Sequence, residues 1–366
     1  MNATETRKYI YLILLCTIFI SGCASEKITF IEHTNKQIKY VGRMNNNNSL
    51  NAKEIYWSGS SIKINFEGTS VSAIMQDERA DNFYNVIIDD KLVDVICPDS
   101  IKTEYKLCDL ENGKHTLELF KRTEWDRGKS WFYGFKLNDK TKLTAKPKVY
   151  NRKIEFYGNS ITCGYGIEDF SGQDRSDSIY TNNYLTYAAL TARHYNAEYH
   201  CTSRSGIGIM ISWFPVIMPE IYDRINPLDE NSVWDFGKYQ ADIVLINLFQ
   251  NDSWLVNMPD HESFKLRFAN GKPSEDFIIA AYKNFVNNIR SKYPSANIVC
   301  ALGSMDITRE GSKWPEYIRE AVSQINDVKI YTHFMPYKNT PGHPKVDEQK
   351  VMSESLINFI DENIEW

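Results

Sequence analysis

The chain is written in two patterns of apolar and polar positions. Between about residues 27 and 146 the runs are short and alternate every second residue: 61–66 and 71–75 flank Glu67-Gly68-Thr69, 85–88 precede Asp89-Asp90, and 115–120 follow Asn112-Gly113. Alternation turns one face of a strand toward a core, and breaks bearing Gly, Asn or Asp are where hairpins turn. No helical period appears over this length, which predicts an all-β antiparallel sandwich of jelly-roll type for residues 27–146. After Lys146-Pro147-Lys148 the pattern changes. Apolar strand candidates at 153–157, 197–201, 242–248, 297–302 and 328–333 alternate with helical periods, the clearest at 182–195, 275–292, 314–325 and 345–360. Such alternation predicts a three-layer α/β domain over 149–366, with a parallel sheet between helices. Residues 209–236, with Trp213, Phe214, Pro215, Pro219, Pro227 and Trp234, break the rhythm. A connection this long is expected to form a lid or a site wall.

The first residues read as a processing signal. Arg7 and Lys8, an apolar run from Tyr9 to Ile20 and the small residues before Cys23 make a secretory signal over residues 1–23. Ile20-Ser21-Gly22-Cys23 resembles a bacterial lipobox, which implies an exported lipoprotein acylated at Cys23 and held at the outer membrane, cell surface or periplasm. No other stretch is long and apolar enough to span a bilayer, so the membrane is expected to be met only through that anchor, by an otherwise soluble monomer. A net charge of −5 and the lack of a Lys/Arg block argue against a nucleic-acid partner. Beyond Cys16 and Cys23 the cysteines are Cys97, Cys108, Cys163, Cys201 and Cys300, none with zinc-type spacing, so no metal is expected. Cys97 and Cys108 are either paired across a hairpin or free.

Candidate chemistry begins at the end of the first predicted strand of the second half. Gly158-Asn159-Ser160-Ile161-Thr162-Cys163-Gly164-Tyr165-Gly166 follows an apolar run and sets Ser160 at a strand's carboxyl end, where open α/β sheets place ligands. Ser160 is a candidate nucleophile; a serine that only caps the next helix would read the same locally. Downstream strand ends supply Ser205-Gly206-Ile207-Gly208, where Gly206 offers an unobstructed N–H, and Gln250-Asn251-Asp252, where Asn251 offers an amide. His343, in Pro341-Gly342-His343-Pro344, falls in a loop before the last helix and is free to act as base.

These four pieces in this order resemble the SGNH or GDSL-type hydrolases, and more closely carbohydrate esterase family two. The blocks around Ser160, Gly206, Asn251 and His343 are similar to that family's, as are His115-Thr116-Leu117, Lys121-Arg122-Thr123-Glu124 and Gly134-Phe135 to its amino-terminal jelly roll. The resemblance implies a serine esterase that removes O-acetyl groups from carbohydrate, such as an acetylated plant-type polysaccharide, without metal or cofactor. Ser160 is then nucleophile, His343 base, and Gly206 and Asn251 oxyanion donors. Three positions depart from the family. Asn159 stands where aspartate is usual, Phe249 replaces a glycine and is expected to crowd the acyl pocket, and Thr340 stands where most SGNH enzymes carry the triad acid. Some family-two esterases work as a Ser–His dyad whose histidine is oriented by a backbone carbonyl, which leaves open how His343 is held here. Asp252 is read as a structural hydrogen-bonding group or cap rather than the missing acid. His333 is a second candidate base, while His194 and His200 read as packing residues. One or two of Trp125, Trp131, Trp213 and Trp234 are expected to stack on sugar, with residues 124–129 walling the sugar side. The rival readings are an esterase for other esters and a carbohydrate-binding lipoprotein whose catalysis has lapsed.

Overall fold

A computed structural model describes residues 28–269 and 271–366. The expected secretory signal and Cys23 lie outside the described residues. The first half is antiparallel throughout: β1 (Thr29–Glu32), β2 (Lys39–Val41), β3 (Met44–Asn47), β4 (Ala52–Ile55), β5 (Ser61–Asp77), β6 (Tyr84–Ile88), β7 (Lys91–Ile96), β8 (Thr103–Lys121), β9 (Ser130–Leu137) and β10 (Lys142–Leu143). They run in the order β3-β4-β9-β5-β8-β6-β7, with β1 added on β9 and both β2 and β10 on β5. Alternate residues such as Ile62, Ile64, Phe66, Leu117, Leu119 and Phe135 fill one apolar core. The expected Asp89-Asp90 hairpin is there, with positive φ at both residues as a tight two-residue turn requires. The expected break at Glu67-Gly68-Thr69 is not a turn. The chain continues as one 17-residue strand, β5, and the glycine marks a register shift against β8, so the strand bends where it was expected to reverse.

The second half is a parallel sheet of β11 (Lys153–Gly158), β12 (Glu198–Ser203), β13 (Ile243–Asn247), β14 (Asn297–Leu302) and β15 (Ile330–Phe334), ordered β12-β11-β13-β14-β15. Its helices are α1 (Ser160–Cys163), α2 (Tyr187–His194), α3 (Met218–Ile221), α4 (Gln250–Leu255), α5 (Glu262–Arg267), α6 (Glu275–Lys292), α7 (Trp314–Ile325) and α8 (Val346–Asn363). Residues pointing one way from the strands, such as Phe156, Leu245 and Val299, pack on α2 and α8. Those pointing the other way, such as Tyr157, Ile246 and Ile298, pack on α6 and α7. The chain leaves β11 for the edge strand β12 and returns to β13 on the other side, so connections diverge at the carboxyl end of β11, where such sheets open a crevice.

The β unit is clamped onto this sheet. Arg43 is buried and donates to Glu155 of β11 at 2.6 Å and to the Tyr157 hydroxyl at 2.8 Å, while its other nitrogen reaches the Tyr222 carbonyl. Gly42 N–H donates to His200 Nε2, and Trp57 Nε1–H to the Ile225 carbonyl. Leaving either charge of the Arg43–Glu155 pair unpartnered would cost about 3–5 kcal/mol, so the two halves are fixed in register. Residues 209–236 thus serve both halves, their far end bracing the β unit.

Candidate active site

Ser160 sits at the first position of α1, capped by the Asn159 side chain, which accepts from Ile161 N–H at 3.1 Å. Its Oγ lies 2.9 Å from His343 Nε2. The other imidazole nitrogen, Nδ1, lies 2.5 Å from Asp174 Oδ2, and the His343 backbone N–H donates to Asp174 Oδ1. Lys345 Nζ donates to Asp174 Oδ1 at 3.0 Å and to the Gly166 carbonyl at 2.8 Å. One carboxylate therefore holds both the ring and the backbone of His343, and Tyr165 packs against the ring at 4.7 Å. Because Nδ1–H donates to the carboxylate, Nε2 is left to accept the Ser160 proton. Burial works to raise the Asp174 carboxyl, but the bonds and charges of His343 and Lys345 outweigh it and hold the group well below the usual carboxylate range.

Asp174 comes from the loop between α1 and α2, at φ +57°, a conformation aspartate tolerates. The loop is tied down by Asp169, which accepts from Arg175 and Ser171, and by the β unit. Arg122 pairs with Glu168 and donates to the carbonyls of Ile179 and Thr181; Ser178 donates to Asp81, and Arg127 to the Ser176 carbonyl.

The oxyanion side is built differently. Gly206 lies beyond β12 at φ +82°, where a side chain would be strained and would press on Phe214 and Trp213. Among the described residues the N–H groups of Ser160 and Gly206 have no hydrogen-bond partner. Asn251 is oriented by a donor-only indole: Trp213 Nε1–H donates to its Oδ1 at 3.1 Å, so Nδ2 faces the other way, spending one N–H on the Ile207 carbonyl and keeping one. Asp252 is wholly buried and accepts from the N–H groups of Ile209, Met210 and Ile211. A Cβ on Gly208 would sit 2.4 Å from that carboxylate, which is why the chain needs glycine there. Desolvation pushes the Asp252 carboxyl up to about 6 although the backbone bonds pull against it.

Residues 40–147 match the family model for the carbohydrate esterase 2 N-terminal domain. A family two carbohydrate esterase from Clostridium thermocellum, solved in complex with cellohexaose, superposes with a TM-score of 0.78 at 32% identity, over 89% of this chain and 98% of that one. The chain belongs to carbohydrate esterase family two. Cellulase/esterase CelE of Acetivibrio thermocellus is 33% identical over 92% of this chain, which spans only 40% of that longer protein. An acetylxylan esterase / glucomannan deacetylase of Cellvibrio japonicus is 24% identical over 98% of this chain and 100% of its own length.

Against the family pattern, each departure in this chain has its own structural resolution. Asn159 keeps the cap but leaves its Nδ2 buried without a partner. Thr340 is exposed and bonds Lys338 and Glu348, so the acid position is vacated. The imidazole is held by Asp174 rather than by a backbone carbonyl, and no spacing rule singles that residue out in the Asp- and Ser-rich stretch 169–178. Phe249 does not crowd the site. Its backbone takes φ +84°, the reason glycine suits the position, and its ring turns into the core against Tyr282 and Trp314. His333 is bonded to Ser355, and burial pulls it down to about 4, away from any proton relay with Ser160. His200 stacks on Tyr239 and His194 lies exposed on α2. Of the tryptophans, Trp213 is 40% exposed beside Asn251, Trp125 is buried near Arg204, Trp131 bonds Glu54, and Trp234 packs against His200. Cys97 and Cys108 are both free.

Proposed function

We propose that the protein removes O-acetyl groups from carbohydrate through an acyl-enzyme on Ser160. His343 takes the Ser160 proton as Oγ attacks the acetyl carbonyl; the bond to the sugar oxygen breaks as the imidazolium returns that proton to it. Water then attacks the acyl-enzyme with His343 again as base, releasing acetate. Asp174 keeps the imidazole in the tautomer that accepts from Ser160 and stabilises its charged form. The N–H groups of Ser160 and Gly206, with the spare Nδ2–H of Asn251, receive the oxyanion. The observation that carries this reading is the unbroken Ser160–His343–Asp174 chain. It also weighs against a lapsed, purely binding role, because the nucleophile, the base and the group that orients the base are all in bonding register. Acetate release from acetylated xylan and glucomannan, with Ser160→Ala as control, tests it: equal release by both proteins would end the proposal.

Residues 27–146 are taken as a jelly roll and 149–366 as the SGNH domain, in a monomer whose Cys23 carries the lipid anchor at the outer membrane, cell surface or periplasm. Among the described residues no helix is long and apolar enough to cross a membrane. Cys23→Ala should therefore move the protein out of the membrane fraction, and unchanged partition would refute the anchor.

A further inference from the structure

We propose that the cleft between the β unit and the 209–236 segment seats an uncharged pyranose of the glycan, next to the sugar being deacetylated, with Arg204 as its hydrogen-bonding fork; this rests on the carbohydrate reading above. The cleft encloses about 410 Å³ and is lined by Tyr56, Trp125, Asp126, Arg204, Phe214 and Leu228 among others. It adjoins the oxyanion residues. A Cβ on Gly206 would lie 3.2 Å from the Phe214 ring, and the Ser205 N–H and hydroxyl both donate to Glu124 of the β unit.

Arg204 is the unusual group there. Its guanidinium carbon lies 4.5 Å from the Trp125 ring centroid and 3.3 Å from that of Phe214, so two rings fix its plane. Yet its side chain makes no hydrogen bond or ion pair among the described residues, and Nε is buried without a partner. The neighbouring arginines are engaged: Arg79 donates to the Asp126 carbonyl and Arg127 pairs with Asp81. An oriented but unspent donor edge is costly unless something accepts from it. Across the cleft the Asp126 carboxylate accepts no hydrogen bond, its nearest cation being Arg127 Nε at 3.8 Å. Vicinal hydroxyls both donate and accept, so one sugar ring satisfies Arg204 and Asp126 together while its C–H face covers the apolar walls. The lining carries both signs, Arg79, Lys129 and Arg204 against Glu78 and Asp126, so a carboxylate or phosphate ligand would meet the two carboxylates as well as the cations, whereas a neutral ring bearing both donors and acceptors meets both.

Two variants test this. Arg204→Met removes the donors but keeps a chain between the rings; Leu228→Trp fills the mouth from an exposed position and leaves the oxyanion loop alone. Each is assayed on acetylated xylo- and gluco-hexasaccharides and on 4-nitrophenyl acetate, and each is placed in Ser160→Ala for calorimetric binding of the unacetylated hexasaccharides. The expected result is a fall of about tenfold in the ratio of kcat/KM, hexasaccharide over small acetate, carried by KM, with a matching loss in binding. An unchanged ratio in both variants overturns the proposal, as does an equal loss on both substrates in Arg204→Met with no effect of Leu228→Trp, which would make Arg204 a structural brace. If the wild type cleaves 4-nitrophenyl acetate but no acetylated glycan, the carbohydrate reading itself fails and takes the cleft with it. If it deacetylates glycans and both variants keep the ratio, only the cleft assignment falls.

Discussion

Asp252, on the oxyanion side, is wholly buried and accepts three backbone N–H groups, whereas Asp174, on the imidazole side, is partly exposed and accepts from the His343 ring, the His343 backbone and Lys345. The two carboxylates flank one serine but answer to opposite forces. Desolvation dominates Asp252 and raises it to about 6; partners dominate Asp174 and hold it low. One side is therefore fixed by fold and is indifferent to ionic strength, while the other is an electrostatic assembly that a change of charge can dismantle. The β unit reaches both, through Glu124 to Ser205 and through Arg122 and Arg127 to the Asp174 loop.

The largest effects should come from the atoms the two sides share. Ser160→Ala and His343→Ala should each lower kcat/KM on 4-nitrophenyl acetate by about four decades or more with nearly wild-type thermal unfolding, and the double variant should add almost nothing. Additive losses would mean that Ser160 and His343 do not act as one unit. Asp174→Asn comes next. An amide at that position favours the wrong imidazole tautomer, and a loss of roughly three decades in kcat is expected, against less than about threefold for Thr340→Ala. Comparable losses in the two variants would show that something other than Asp174 holds the ring.

Asp252→Asn sharpens the contrast by stability. The amide offers one acceptor where the carboxylate offered two, and turns an NH2 toward backbone donors. A loss of about 2–4 kcal/mol is expected, with kcat falling on the order of a hundredfold as the 206–211 loop loosens. The pH dependences should have opposite signs. Asp174 is lowered by folding, so its stabilisation is present above about pH 3.9, the unfolded value, and is lost as pH falls through its folded value. Asp252 is raised, so its contribution is greatest below about pH 3.9 and is lost as pH rises to about 6, on the order of 3 kcal/mol. In denaturant titrations from pH 2 to 7, the stability difference between wild type and variant should rise with pH up to about 4 for Asp174 and fall between about pH 4 and 6 for Asp252; the same sign for both would refute the comparison.

The same contrast explains what the sequence could say. Ser160, Gly206, Asn251 and His343 each follow a strand or precede a helix whose apolar period is strong, and strands in a parallel sheet must bring those ends to one edge. The spans 275–292, 297–302 and 314–325 were legible to the residue for the same reason. Asp174 lies in a loop with no period, placed by contacts from Arg122, Arg127 and Asp81, some fifty to a hundred residues away, and no local pattern encodes them. The Glu67-Gly68-Thr69 bend failed for a related reason: whether a glycine turns or bulges a strand is decided by the partner strand, here β8.

Arg122→Gln is a smaller test of the long-range bracing. It removes the ion pair with Glu168 and the bond to the Ile179 carbonyl without touching the site, so the Asp174 loop should sample detached states and kcat/KM should fall about tenfold. Added salt should lower wild-type activity in the same direction and leave the variant flatter. A variant as active as wild type would place the hold on Asp174 in Asp169 and Lys345 alone.

The smallest effect on chemistry is expected at Phe249, and it separates core from site most directly. The ring is wholly buried between Tyr282 and Trp314, so Phe249→Gly opens a cavity costing about 3–5 kcal/mol, offset by roughly 1 kcal/mol because glycine accepts φ +84° without strain. The net loss of about 2–4 kcal/mol should appear in thermal unfolding. The ratio of acetate to butyrate ester turnover should stay within about twofold, because the emptied space lies on the α6–α7 side of the sheet rather than beside Ser160. Phe249→Leu, which keeps most of the volume, carries the same test if the glycine variant does not fold. A shift of tenfold toward butyrate in either would put the ring at the acyl group after all, and would mean that the oxyanion side is not held by core packing alone.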